Sequence, residues 1–301
     1  MSVRVTALIL ILSALLLVSC GPKPAGETGT EIISAEEALA MVDGDNVVLV
    51  DARGTLDYRK GFVPGAVSIS RADIVINTPV NNMLAPQQQI EAVMSSRGIS
   101  NDTMVVIYDD NKNMDSARLW WTLKVYGHDA VKVVSGGLSA LQAEGAELTT
   151  AVVAPTPAQF TATAPDSTMI ATQSDLRKQV NTPDPRVVVI DTRTEEEYAE
   201  GTIPGSVCID FAGNNFADGT FKPVQQIRIR YIESGLDYDS GAIMYCKTSI
   251  RGAQTFLALY NAGYRNLKLY DGAWLEWSSN PMNPVFVPEP DVIQLEASDN
   301  S

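Results

Sequence analysis

The chain repeats itself, and the repeat limits the architectures open to it. Val47-Val48-Leu49-Val50-Asp51-Ala52-Arg53 returns as Val187-Val188-Val189-Ile190-Asp191-Thr192-Arg193, an offset of 140 positions. Tyr58, Gly61, Pro64 and Gly65 find Tyr198, Gly201, Pro204 and Gly205 at that same offset, and Val67-Ser68-Ile69 is answered by Val207-Cys208-Ile209. Gly136 finds Gly272 at a slightly smaller one. A period this long marks a duplicated domain, not a solenoid of single supersecondary units. A chain of 301 residues has room for two such domains, each with a core of its own.

Within each copy, short apolar β-branched runs alternate with helical segments. The runs are 47–50, 104–108 and 131–134 in copy one, and 187–190, 242–245 and 267–270 in copy two. Apolar runs without polar alternation imply a sheet covered on both faces. Between the last two runs of copy two, Ala253, Phe256, Leu257 and Tyr260 recur at i, i+3, i+4 and i+7, one face of a helix that stops at Ala262-Gly263. Strand, loop, helix and strand form a parallel crossover unit. The expected fold class is therefore α/β, with two tandem domains, each a mainly parallel sheet flanked by helices. The domains are read as 32–150 and 168–287, joined by a linker at 151–167 that opens rich in Ala, Thr and Pro, and followed by a tail at 288–301.

The first residues carry a different signal. The apolar run 5–18 follows Arg4; it is short for a membrane span but suits the h-region of a secretory signal. It ends in Leu17-Val18-Ser19-Cys20, which resembles the bacterial lipobox, so 1–20 reads as a lipoprotein signal peptide and Cys20 as the lipid attachment point. Residues 21–31 would then be a tether. The expected location is the bacterial cell envelope, anchored through Cys20 and facing periplasm or cell exterior. A net charge of −14 disfavours nucleic acid and anionic head groups, so membrane contact is expected through the lipid only. With Cys20 lipidated, Cys208 and Cys246 remain, too few for a disulfide scaffold and, with the single His128, unsuited to a structural zinc site.

In parallel sheets ligands gather where strands end and helices begin, and there the copies diverge. Copy two reads Tyr245-Cys246-Lys247-Thr248-Ser249-Ile250-Arg251; copy one reads Tyr108-Asp109-Asp110, with a longer path to Arg118. Backbone N–H groups of a tight loop opening a helix favour an anion at its first side chain. Lys247 and Arg251 would favour the Cys246 thiolate further, making it a nucleophile inside an anion pocket. His128 follows Gly127 and reads as a helix-exit residue rather than a base.

The Asp-x-Arg strand ends, the turn Gly201-Thr202-Ile203-Pro204-Gly205-Ser206, the Cys-x4-Arg loop and Tyr270-Asp271-Gly272-Ala273-Trp274-Leu275-Glu276-Trp277 together resemble a tandem rhodanese, the thiosulfate sulfurtransferase family. The likeness spans about residues 32–287 and includes a first copy without a thiol. It implies a double displacement through a Cys246 persulfide, with the donor held by Lys247, Thr248, Ser249, Ile250 and Arg251. Asp191, Arg193 and Asp271 either fix the loop or serve as structural ion pairs and turn caps; Trp274 either walls the pocket or packs the last helix. Partners would be a small anionic sulfur donor and a thiol or cyanide acceptor, with no cofactor and no metal.

Phosphatases and arsenate reductases of related fold carry a Cys-x5-Arg loop, one residue longer, which admits a tetrahedral oxyanion; the shorter loop here favours a lone sulfur. Lys247 resembles thiosulfate-type loops more than mercaptopyruvate-type ones. Where several thiosulfate-type relatives place an Arg, this chain has Glu197. Cys208 reads first as a small buried hydrophobe, while its pairing with Cys246 would make a redox switch. The competing class is a non-catalytic envelope lipoprotein that carries sulfane sulfur or binds a partner; 3-mercaptopyruvate is a further alternative donor.

Overall fold

The computed structural model describes residues 28–289. The segment bearing Cys20 and the tail from residue 290 lie outside them. Strands β1 (Ile32–Ile33), β2 (Val47–Asp51), β3 (Val67–Ser68), β4 (Val75–Ile76), β5 (Met83–Leu84), β6 (Met104–Tyr108) and β7 (Val131–Val134) belong to copy one. Copy two holds β8 (Ile170–Ala171), β9 (Val187–Asp191), β10 (Ser206–Cys208), β11 (Gly241–Tyr245) and β12 (Leu267–Tyr270). The helices of copy one are α1 (Ala35–Val42), α2 (Thr55–Lys60), α3 (Arg71–Ile74), α4 (Gln87–Ser96), α5 (Met114–Val125) and α6 (Gly137–Ala143). Those of copy two are α7 (Gln173–Asn181), α8 (Glu195–Glu200), α9 (Val224–Glu233), α10 (Ile250–Asn261) and α11 (Ala273–Ser279), with a 3₁₀ turn at Phe211–Asn214.

Both copies build the same five-stranded sheet, in the orders β1-β7-β6-β2-β3 and β8-β12-β11-β9-β10, and every pair within it is parallel. The six apolar runs are its inner strands. β4 and β5 form a separate antiparallel ribbon. The repeated glycines have a conformational reason: Gly61 and Gly201, closing α2 and α8, share φ 150° and ψ 142°, a region essentially closed to other residues.

One apolar cluster runs through both copies, joining Leu119, Trp120, Trp121 and Leu123 of α5 to Phe256, Leu257 and Leu259 of α10. Trp120 packs edge-on to Tyr260 at 5.3 Å and tilted to Phe256 at 6.2 Å. The sequence marks a single apolar face on α10, yet ten of its residues are buried, because the side turned from its own sheet is covered by α5. Two helices packed this way form a core rather than a contact between loose domains.

The linker has no regular element, as its composition implies, but it is docked. Phe160 and Ala162 are buried, and the N–H groups of Ala158, Phe160, Thr161 and Ala162 donate to Ser95, Asn101 and Glu91 of copy one. Among the described residues no helix is long and apolar enough to cross a membrane.

Candidate functional site

Cys246 is the first residue beyond β11 and only 1% exposed. Its carbonyl oxygen accepts from the Trp274 N–H at 2.9 Å, and that of Lys247 from the Leu275 N–H at 3.2 Å, which ties the loop to the start of α11. Ser249, buried at the N-cap of α10, turns the chain through the left-handed region at φ 63°. Lys247 is exposed and Thr248 half-buried. The first N–H groups of a helix have no partner inside it, and among the described residues nothing accepts from those of Lys247 through Arg251.

The repeat indicates what such a set of N–H groups holds. In copy one the loop keeps the left-handed N-cap, Asn113 at φ 61°, but is one residue longer. Asp109 Oδ1 accepts from the N–H groups of Asn111 (2.8 Å) and Asn113 (3.0 Å), and Oδ2 from the N–H and hydroxyl of Ser116 (2.8 and 2.9 Å). A buried carboxylate thus fills the cradle. Burial pushes its pKa up, and the Ser116 and Asn111 N–H groups pull it back in part. The place of Arg251, second residue of its helix, is taken in copy one by Asp115, which pairs with Arg71 at 2.6 Å. Arg118 is not its counterpart.

Arg251 lies beside the Cys246 sulfur and is held by Glu197, whose Oε1 accepts from Nη2 at 2.9 Å and Oε2 from Nη1 at 2.5 Å. Burial pulls the Arg251 pKa down, but the Glu197 hydrogen bond and the Cys246 sulfur outweigh it and raise it. Glu197 is held below the usual carboxylate range, first by the hydrogen bond from Arg251. Of the two cations expected to face a donor, one is therefore already paired. The sequence marks Glu197 by its position and its sign, as an acid where a cation would favour the donor, but not as the partner of Arg251.

Asp191 and Arg193 form a buried hub. Arg193 Nη2 donates to Asp191 Oδ2 and to the Gly201 carbonyl, both at 2.6 Å, while the Tyr245 and Thr202 hydroxyls donate to Asp191 at 2.9 Å. Copy one repeats it: Arg53 bonds Asp51 and the Gly61 carbonyl at 2.6 Å, and Tyr108 bonds Asp51 at 2.8 Å. A constellation kept by the copy without a thiol fixes strand ends; it is not specific to thiol chemistry. Trp274 lies over the Arg193 guanidinium at 4.5 Å. Asp271, just after β12, receives Arg118 of copy one at 2.7 Å, a contact with no signal in the sequence.

Cys208 is half-buried, with its Sγ 3.8 Å from the Arg193 carbonyl oxygen, and burial beside Asp191 pushes its pKa up to about 11. It sits opposite Asp191, whose other neighbour is Tyr245, so Cys208 and Cys246 are two strand spacings apart. That separation, roughly 10 Å, exceeds the ~7 Å a disulfide spans; the two thiols are free. His128 is buried against Phe160 near Thr103 and Ala130, which precede β6 and β7, at the end of the sheet away from the loop.

Residues 34–144 and 172–280 each match the family model described as a rhodanese-like domain. A Mycobacterium leprae protein named as a proposed thiosulfate sulfurtransferase is 30% identical over 267 residues, 82% of this chain and 94% of its own length. A sulfur carrier protein of Thermus thermophilus is 29% identical over 240 residues, 74% of this chain and 84% of its own. Among solved structures, a 3-mercaptopyruvate sulfotransferase of Escherichia coli superimposes with a TM-score of 0.74 at 24% identity, covering 82% of this chain and 99% of its own. An anaerobic ergothioneine biosynthesis enzyme of Chlorobium limicola does so with a TM-score of 0.78 at 20% identity, covering 86% and 71%. The shared fold, the match in both halves and relatives named for sulfur transfer and carriage agree with the duplicated loop-and-strand pattern: the chain is a two-domain member of the rhodanese-like family of sulfurtransferases.

Proposed function

We propose that this protein moves sulfane sulfur from thiosulfate, or a related donor, to a thiophilic acceptor such as cyanide or a thiol. The Cys246 thiolate attacks the outer sulfur of thiosulfate, the sulfur–sulfur bond of the donor breaks, and sulfite leaves with its electron pair. The acceptor then attacks the outer sulfur of the Cys246 persulfide and the thiolate departs, so atoms and electrons balance without a cofactor. Lys247 and the N–H groups from Lys247 to Arg251 stabilise the anionic persulfide, and copy one performs no thiol chemistry. The protein works at the bacterial cell envelope, tethered by lipid on Cys20.

The observation that carries this reading is the pair of loops. An Asp oxygen is as many bonds from its Cα as the outer sulfur of a Cys persulfide. Asp109 in copy one thus occupies its N–H cradle much as a persulfide anion on Cys246 would occupy the matching groups in copy two. The buried setting also suits a carrier that holds sulfur for a partner, the role named for the Thermus relative; multiple turnover with a small acceptor separates the two. The test is the intact mass of protein lacking residues 1–20 after incubation with thiosulfate, beside Cys246→Ser, followed by sulfite release and delivery of sulfur to cyanide. A gain of one sulfur atom that the variant lacks supports the transferase. No gain with thiosulfate or mercaptopyruvate, the thiol being reduced, refutes it.

A further inference from the structure

The loops of the two copies are held in place by different means. In copy one, Asn113 reaches the end of β7 unaided: its amide donates to the Val134 carbonyl oxygen at 2.7 Å, and its Oδ1 accepts from the Gly136 N–H at 3.2 Å. Asp109 ties the rest of that loop from within. In copy two the same left-handed position is Ser249, whose side chain is shorter, and among the described residues no carboxylate accepts from the N–H groups of the loop. A loop that must keep its N–H groups free for a sulfur cannot be tied down by its own central acceptor.

Beyond the two carbonyl ties to α11, its N-cap is held from the other copy. Arg118 of α5 is fully buried; its Nη1 donates to Ser249 Oγ at 3.0 Å, and its Nη2 to Asp271 Oδ1 at 2.7 Å and to the Asn82 carbonyl oxygen at 3.0 Å. The Trp121 ring lies 4.6 Å from its guanidinium. Asp271 accepts from the Leu84 N–H at 2.7 Å and lies 3.4 Å from Ser249 Oγ. The residue of α10 that matches Arg118 is Gln254, and it bonds Asn214 and Asn215 of its own copy instead. Gln254 therefore has no counterpart of the Arg118 clamp to offer copy one.

We propose that Arg118, acting with Asp271, is a positioning residue for the Cys246 loop. Copy one lacks the thiol yet holds the cradle of copy two in register. A planar guanidinium suits this because its fork reaches Ser249, Asp271 and Asn82 at once, which an ammonium does not. A buried ion pair adds little net stability but fixes one geometry. This inference rests on the transferase reading for its kinetic consequence and on the structure alone for its mechanical one.

The test compares wild type, Arg118→Gln and Arg118→Gln/Ser249→Asn, all in the two-domain protein. The Arg118→Gln variant keeps its circular dichroism and a cooperative thermal transition. Its kcat for sulfur transfer falls about 10- to 100-fold through misplacement of the loop, while KM for the donor stays within about threefold, because Lys247 and Arg251 are untouched. Amide hydrogen exchange in the peptide 246–252 rises. Ser249→Asn copies Asn113 and reaches the end of β12 by itself, so it restores most of the kcat and the protection. A folded Arg118→Gln protein with wild-type kcat and exchange overturns the proposal, and so does a loss that Ser249→Asn leaves unchanged. Should Arg118→Gln not fold, Arg118→Lys, which keeps a cation for Asp271 but not the fork, carries the same expectations. The two levels fail separately: a wild type that takes up no sulfur, but whose exchange still depends on Arg118, refutes the transferase and keeps the clamp.

Discussion

Replacing Glu197 by Gln removes one negative charge from the mouth of the Cys246 loop and leaves most else in place. The residue is the third of α8, where its carboxylate caps the Thr194 N–H, and Gln serves that capping role equally well. The lost ion pair is partly exposed and worth under about 1 kcal/mol. Its effect on the donor is larger. With Cys246 as the attacking thiolate, its charge and those of Lys247, Arg251 and Glu197 cancel, and a guanidinium that also interacts with the sulfur binds the carboxylate. At roughly 7 Å, two unit charges interact by about 0.6 kcal/mol in a water-like medium and about 2 kcal/mol at an effective dielectric near 20. Physiological salt removes about half of that. For a dianion such as thiosulfate, Glu197→Gln should therefore relieve about 1 kcal/mol, a rise of close to fivefold in kcat/KM. By the same arithmetic a singly charged donor should change by about twofold and a neutral one hardly at all. The assay is initial-rate sulfite release across thiosulfate concentrations at low and high ionic strength. Because Arg251 holds the Glu197 pKa down, the carboxylate loses its charge only as pH falls through that depressed value, so the gain should be constant across neutral pH. An unchanged or lower kcat/KM in a folded variant, or a gain indifferent to salt and donor charge, would refute the reasoning.

Asp109→Asn should lower the stability of the protein by about 1–3 kcal/mol, because the new amide faces the Ser116 N–H that the carboxylate now satisfies. The raised Asp109 pKa makes the wild-type advantage greatest in acid and smaller as pH rises through that value, which thermal melts from pH 4 to 8 would read. Asp191→Asn should cost about 3 kcal/mol by leaving the buried Arg193 without its ion pair, and Asp51→Asn somewhat less, because Arg53 keeps Asp110 at 3.7 Å; losses of this size in both copies in denaturant unfolding would place the hub in the scaffold rather than in the chemistry. Cys208, protonated until about pH 11, should resist alkylation at pH 8, and Cys208→Ala should retain sulfur transfer within about twofold; peptide mapping and turnover measure both.

The six inner strands and the α10 helix were legible because each is written locally, as an apolar run or a 3.6-residue period. The Cys246 loop was legible because its duplicate offers an inbuilt comparison at Asp109. Arg118 was not: its partners Ser249 and Asp271 lie 131 and 153 positions away, and nothing periodic marks a residue that leaves its own domain. The docking of the linker was equally hidden, since Ala, Thr and Pro describe backbone freedom in isolation and not the acceptors offered by α4 and the turn after it. Glu197 was noticed for its sign, but that it would engage Arg251 with both oxygens follows from α8 lying beside the start of α10, which spacing alone does not state.

The apolar seam between α5 and α10 has a consequence for how this molecule can change. Trp120, Phe256 and their neighbours are interior for both halves at once, so neither half has a wettable version of that surface to fall back on. Cleavage within 151–167 should leave a nicked but associated protein that melts in one transition, and expression of 168–287 alone should yield aggregate rather than a small enzyme. A duplication that began as two interchangeable copies has become a ratchet: the half without the thiol can lose chemistry freely, but it can no longer be lost itself.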